Sequence, residues 1–417
     1  MKTILKIGRL SNILAVSLIV ALLALSLPTK AAQAATRFIL ARTIISPTPT
    51  GGGFFGEAMA AVGDKLLVGA RDDCATICGG AVHLFDSNGN PLLTIPTPTL
   101  FASFGFSVDG VGPDPLVGAI HDSTAGSNAG AAYLFDDVTG DLLQTFLNPN
   151  PAPHSSGLDF FGQAVAGLGN NVLVSAPGQE VVLDSGVEVQ DAGVVYVFDA
   201  VSGALLQTIS NPSPEQFDGF GSTISTVGNN FAVTTAFDAN DTPVAGSGTV
   251  YLFDANGNLI TAIVSPQPVG FGLFGTSLAA FGDDLLVGEE RGFTDDVRAG
   301  AVHLFDGATG AFIRSYFNPT PVAFELFGNS VAASGNNVLV GALRHARGPR
   351  EGAAYLFDGT TGELTTTVLN PERGVEDSFA WDVAVIGDSL LVGSPFQSSD
   401  PNNPLQEGVA YLFQPRR

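Results

Sequence analysis

Two cysteines, two methionines, one tryptophan and 17 basic residues against 40 acidic ones are what this 417-residue chain is short of. The cysteines, Cys74 and Cys78, stand C-x3-C in one loop. That count rules out a disulfide framework, and the spacing is not the C-x-x-C of a redox helix. What remains is a local disulfide staple or two free thiols. The shortage of Lys and Arg excludes nucleic acid, whose phosphates demand cationic partners, and docking onto anionic lipid. Long apolar runs are also lacking, with one exception at the start.

That exception is a basic start (Lys2, Lys6, Arg9), an uncharged apolar run from Ile13 to Leu27, and the small-residue exit Ala32-Gln33-Ala34. It has the pattern of a secretory signal peptide spanning 1–34, with cleavage near Ala34. The run is shorter than the ~20 residues a membrane span needs. The expected mature chain, 35–417, is soluble, without a membrane span, and periplasmic, secreted or at the cell surface. Residues 1–34 hold four of the basic residues and no acidic ones, so the formal charge moves from −23 to −27. A hydrophobic content of 45% with 30 Phe separates this acidic chain from disordered ones.

Two phrases recur about every 50 to 60 residues, a spacing typical of propeller blades. Phe-Gly stands at Phe55, Phe104, Phe161, Phe220, Phe274 and Phe327, with a worn copy at Phe379-Ala380. Leu-Phe-Asp or a near variant ends at Asp86, Asp136, Asp199, Asp254, Asp306 and Asp358, then as Leu412-Phe413-Gln414. Each unit carries four strand-like runs. The first two are joined by Gly-Asp or Gly-Asn-Asn turns such as Gly63-Asp64, where φ > 0 is tolerated. The last two are joined by Asp-x-x-Thr/Ser-Gly turns whose Asp can cap the backbone. Second strands such as Leu66-Leu67-Val68 are wholly aliphatic, as strands buried on both faces are. The expected fold is an all-β, seven-bladed β-propeller of four-stranded blades.

The last unit stops after three strands, and residues 37–49, "RFILARTIISPTP", match the missing fourth. The same eight-residue step that runs from Pro96, Pro212, Pro266, Pro319 or Pro371 to the next Phe-Gly runs from Pro47 to Phe55. The N-terminal strand is therefore expected to complete blade seven and leave no open sheet edge.

These units resemble FG-GAP repeats, the blades of integrin α-subunit propellers and of many exported bacterial proteins. The resemblance implies a binding or adhesion function and, in the family's usual place, a calcium loop between the first two strands. Here that connection is only two or three residues long, too short to wrap an ion. No cofactor is expected, and calcium, if bound, would lie elsewhere. The Tyr-Leu-Phe-Asp-x-x-Thr-Gly stretch is also similar to quinoprotein propellers, but the docking Trp of that family has no counterpart, since the one Trp, Trp381, is expected in a first strand.

No G-x-S-x-G, H-E-x-x-H or P-loop occurs. His83 and His303 occupy the third-strand site that holds Tyr in other blades, which marks them as packing residues. The variable segments are the loops between second and third strands, so these are expected to carry function. On them, Arg344, His345, Arg347 and Arg350 form a basic cluster, and Asp238 and Asp241, or Asp295 and Asp296, could meet a cation. The functional expectation is a non-enzymatic, monomeric module that recognises a protein or polysaccharide. The alternatives are a lyase or hydrolase using acids such as Asp72, Asp122, Asp238 and Asp295, or a quinoprotein-like propeller.

Overall fold

A computed structural model describes residues 37–50, 52–74, 77–151, 158–183, 185–235, 244, 246–344, 352–372, 378–397 and 407–416. No helix occurs among them. Residues 37–417 form one unit, built of seven four-stranded antiparallel sheets. Blade two shows the plan, with strands Phe104–Val111, Asp114–Ala119, Ala131–Phe135 and Leu142–Leu147. Each first strand touches the first strand of the next blade, and that of blade seven, Val383–Ile386, touches that of blade one, Met59–Val62. The ring is closed.

Strand period explains the core. In blade one Leu66 and Val68 pack in the junction with blade seven, while Leu67, on the opposite face, packs in the junction with blade two. A second strand thus serves two junctions, and all three side chains are fully buried. In every blade the Phe of Phe-Gly sits beside the third-strand Tyr or His and edge-on to the Leu-Phe-Asp Phe. Phe104, Tyr133 and Phe135 are typical, with ring centroids 5.9 and 5.7 Å from Phe104. Edge-to-face pairs of this kind each add about 0.5–1.5 kcal/mol beyond burial.

The two halves of the repeat phrase meet across junctions. A Cβ on Gly118, in a second strand, would lie 2.1 Å from the carbonyl oxygen of Gly162 in the next blade. The glycine ahead of each third strand is pressed in the same way onto the next Phe-Gly backbone, and Gly408 onto Phe55 closes the circle.

The N-terminal strand Phe38–Ile45 pairs antiparallel with Val409–Pro415, completing blade seven. It carries a bulge between Leu40 and Arg42, and the other six fourth strands are bulged at the corresponding place. The C-terminal strand runs past Phe413, because Pro415 opposes Phe38 and the Arg416 N–H donates to the Arg37 carbonyl at 2.7 Å. One alignment shifts in blade one. Ala81 pairs with Pro96 as Ala131 pairs with Leu147, so Pro98, and not Pro96, is the equivalent of Pro149.

Carboxylates help to join the inner strands. Asp109 of blade two accepts the Gly167 N–H of blade three at 2.9 Å, and Asp382 of blade seven accepts the Met59 N–H of blade one at 2.7 Å. Burial pushes both acids up to about 6, and burial pushes Glu57 up to about 7 against the pull of Arg71. A raised folded-state pKa means that the native chain holds protons the unfolded chain has released, so stability falls as pH rises from about 4 to 7. We expect the unfolding free energy to drop between pH 5 and pH 8 by about 1–2 kcal/mol per group after allowance for solvent screening, and Tm to fall with it. Asp109→Asn should flatten that slope in a calorimetric pH series. A mutant slope equal to the wild type would remove Asp109 from the account.

Candidate binding face

Two classes of connection divide the molecule into two faces. On one, every first-to-second connection is two residues long, as between Val62 and Lys65. The third-to-fourth turns on that face are capped by their Asp. Asp136 accepts the N–H groups of Val138 and Thr139 at 3.0 and 2.7 Å, and Asp306 those of Ala308 and Thr309 at 3.2 and 2.8 Å. Hydrogen bonds to the ionised form hold both carboxyls below the usual range. These acids are turn caps.

The other face carries the second-to-third loops and the links between blades, which are bonded to one another. The N–H groups of Phe101, Phe217 and Phe324 in the links donate to the carbonyls of Cys78, Gln190 and Arg298 in the loops, at 2.8, 3.1 and 2.6 Å. Each fourth strand ends in Asn, Ser or Thr followed by Pro, and the side-chain oxygen accepts the N–H two residues on, as Asn148 does from Asn150 at 2.9 Å. Beneath the links lies a series of buried acids. After three of the strands that end in Asn, the acid precedes the next Phe-Gly: Asn148 donates to Asp159 and Asn211 to Asp218, both at 2.8 Å, and Asn318 to Glu325.

Where the strand ends in Ser or Thr, the acid comes from the second strand of the next blade or its following loop. Asp122 accepts from Tyr133 at 2.6 Å, from Thr99, and from the Thr124 N–H at 2.7 Å. Glu289 accepts from Ser265 at 2.7 Å and lies 3.1 Å from His303 Nε2, whose Nδ1 meets Ser315 at 2.8 Å. Asp73 takes Thr48 at 2.7 Å, Thr50 at 3.1 Å and Ser46 at 3.3 Å, with His83 alongside at 3.7 Å. Burial alone would raise Asp73, but the bonds from His83, Thr48 and Thr50 outweigh it and its pKa is lowered. Burial, then Asp122, raises Tyr133, and burial pushes Tyr196 up to about 12. A buried carboxylate satisfied on several sides is a joint between blades.

Of the acids considered for catalysis, Asp122 is such a joint and is fully buried. Asp72 is on the surface, 3.9 Å from Arg71, which is held at 2.9 Å by Glu57. Asp295 and Asp296 are the two exposed central residues of a tight turn, at φ 49° and 62°, closed by reciprocal bonds between Thr294 and Val297 at 2.9 Å. Paired positive φ is what Asp tolerates in such turns, which explains the doublet. Arg344 is exposed, with its N–H on the Glu325 carbonyl at 3.0 Å. His345, Arg347, Arg350, Asp238 and Asp241 lie outside the described residues. Cys74 and Cys78 are joined as a disulfide, and the Cys74 N–H meets Thr50 at 3.2 Å, tying that loop to the link from blade seven.

What motif reading passes over is aromatic. Phe101, Phe217, Phe271 and Phe324 stand three residues before a Phe-Gly and are 73%, 60%, 61% and 50% exposed, all at positive φ. A non-glycine residue there costs roughly 1 kcal/mol or more. The repeated F-x-x-F-G spacing is the signal that marks them. Between blades three and four a pocket of about 410 Å³ opens among Leu158, Phe160, Pro177, Asp191 and Phe217. Its rim continues into a hairpin, Val181–Val182 with Glu188–Val189, formed by the intervening loop.

Among the described residues no group of three or more His, Cys, Asp or Glu is placed to hold a metal ion, and no helix is long and apolar enough to cross a membrane. Residues 322–357, the link and first three strands of blade six, match the FG-GAP repeat family. No curated protein matches the chain.

Proposed function

Taking the chain as a seven-bladed propeller that carries an FG-GAP repeat, we propose that it is an exported, non-enzymatic recognition module that binds a protein or glycan through its long-loop face. The observation that carries this is the asymmetry of the faces. One bears uniform capped turns, while the other bears loops of differing length, four outward left-handed phenylalanines and an apolar pocket. Exposed apolar groups held in strained backbone favour a partner-binding role. Of the acids nearest to an enzyme reading, Asp122 is engaged in a joint and Asp295 in a tight turn, which argues against a lyase or hydrolase built on them. The two-residue first-to-second connections favour calcium-independent binding.

The test is an array of glycans and surface proteins probed with residues 35–417, with and without calcium. The variant Phe101→Ala/Phe271→Ala/Phe324→Ala should lose at least about tenfold in affinity for any ligand found, as hot-spot aromatics do. Val138→Ser/Val201→Ser, on the capped turns, should not. The reverse ranking would place recognition on the short-turn face, and a calcium requirement would overturn the metal-free reading.

A further inference from the structure

We infer that the pocket between blades three and four is a site for a small organic ammonium ion with an apolar body, a reading that rests on the long-loop face being the recognition surface. Its apolar wall is Leu158, Phe160, Pro177 and Phe217, and two acids, Asp191 and Asp218, also line it. Phe160 and Phe217 take left-handed backbone at φ 53° and 68°, and Phe217 remains 60% exposed. The neighbouring Asp218 is already engaged, accepting from Asn211 at 2.8 Å and from the Glu215 N–H at 2.6 Å. The Asp191 carboxylate takes no hydrogen bond or ion pair from any described residue, and its residue is partly buried. Burial raises its pKa with no bond to offset the rise.

A carboxylate left unpaired beside apolar walls is stabilised by a cation that displaces no existing partner. Phenylalanine faces attract the same cation. Among the described residues no basic side chain lines the pocket, and the chain carries a formal charge of −23, so an anionic ligand is disfavoured. A neutral apolar ligand would leave Asp191 unpaired. The volume, about 410 Å³, lies within the range of sites for whole small molecules and exceeds what one inserted Lys side chain would fill.

The probe set is 2-phenylethylammonium, 2-phenylethanol and 3-phenylpropionate, titrated into residues 35–417 by calorimetry and by NMR. The ammonium should bind at least tenfold more tightly than the alcohol, and the carboxylate should not bind. Asp191→Asn should erase the tenfold preference while the alcohol binds as before. Phe217→Ala should weaken both, and Val138→Ser, on the opposite face, neither. Equal binding of ammonium and alcohol, an undiminished preference in Asp191→Asn, or no binding of the ammonium at millimolar concentration would overturn the inference. Tighter, Asp191-dependent binding of a Lys- or Arg-containing peptide would overturn its small-molecule part. If the array ligand still maps to the long-loop face while the amines fail, this site assignment falls alone. A ligand mapped to the short-turn face overturns the wider reading.

Discussion

Deleting residues 35–45 is expected to open the ring. The deletion removes every partner of Val409–Pro415 on its outer side, from Phe38 opposite Pro415 to Ile45 opposite Val409. It also removes Ile44, 3% exposed, from the junction of blades seven and one, where it packs with Phe55, Leu66 and Leu412. Loss of one buried aliphatic side chain of that size costs about 2–5 kcal/mol. The Arg42 guanidinium, which donates to the Gly89 carbonyl of blade one at 2.8 Å, goes as well. A bare, flat edge then pairs with other chains. We expect Tm to fall by at least about 5 °C, with aggregates on size exclusion, and a peptide of residues 35–46 to restore the monomer in part. Leu40→Ser, at a residue 40% exposed on the same strand, should stay within about 0.5 kcal/mol of wild type. An unchanged melting curve in the truncation would show that the strand does not hold the ring closed.

Gly130→Ala should be at least as damaging, for a different reason. Gly130 sits at φ +82°, and a Cβ there would lie 2.0 Å from the Phe161 carbonyl oxygen and 2.8 Å from its carbon. Backbone meets backbone at this point, so no side-chain rotation relieves the clash. Relief requires blades two and three to spread, which would pull Phe161, fully buried, from Tyr196 and Phe198. An overpacked core costs about 1–3 kcal/mol where side chains can adjust. Here the cost should exceed that and appear as misfolding or a collapse of expression. Gly169 is the control, because it has φ +59° with nothing within 4 Å of its Cβ position. Gly169→Ala should cost only the left-handed penalty of about 1–2 kcal/mol. Equal melting temperatures for the two variants would mean that backbone conformation, and not contact across the junction, explains the repeated glycine.

Much of this fold is legible along the chain. The unit of four strands, the count of seven blades and the Asp caps depend on residues that are neighbours or near neighbours, so composition and spacing report them directly. Closure by the N-terminal strand is a long-range pairing, yet it was readable because a repeat shows what its missing member must look like. The error at Pro96 is instructive. The eight-residue step to Phe104 points to Pro96, but the ladder pairing of Ala81 with Pro96 makes Pro98, six residues before Phe104, the equivalent proline.

The candidate site was far less legible. Asp122 and Asp72 look alike as loop acids, but one is fully buried under Thr99 and Tyr133 and the other lies on the surface beside Arg71. That difference arises from side chains that meet across a blade junction. Exposure divides equally sharply between like residues. Phe101 and Phe104 are three apart in one link, one 73% exposed and the other fully buried. Sequence by itself determined a closed ring of seven four-stranded blades, because strand period and turn chemistry are local. Which acids are joints, which aromatics face solvent and where a pocket opens were decided by tertiary structure, since each depends on what the neighbouring blade places opposite.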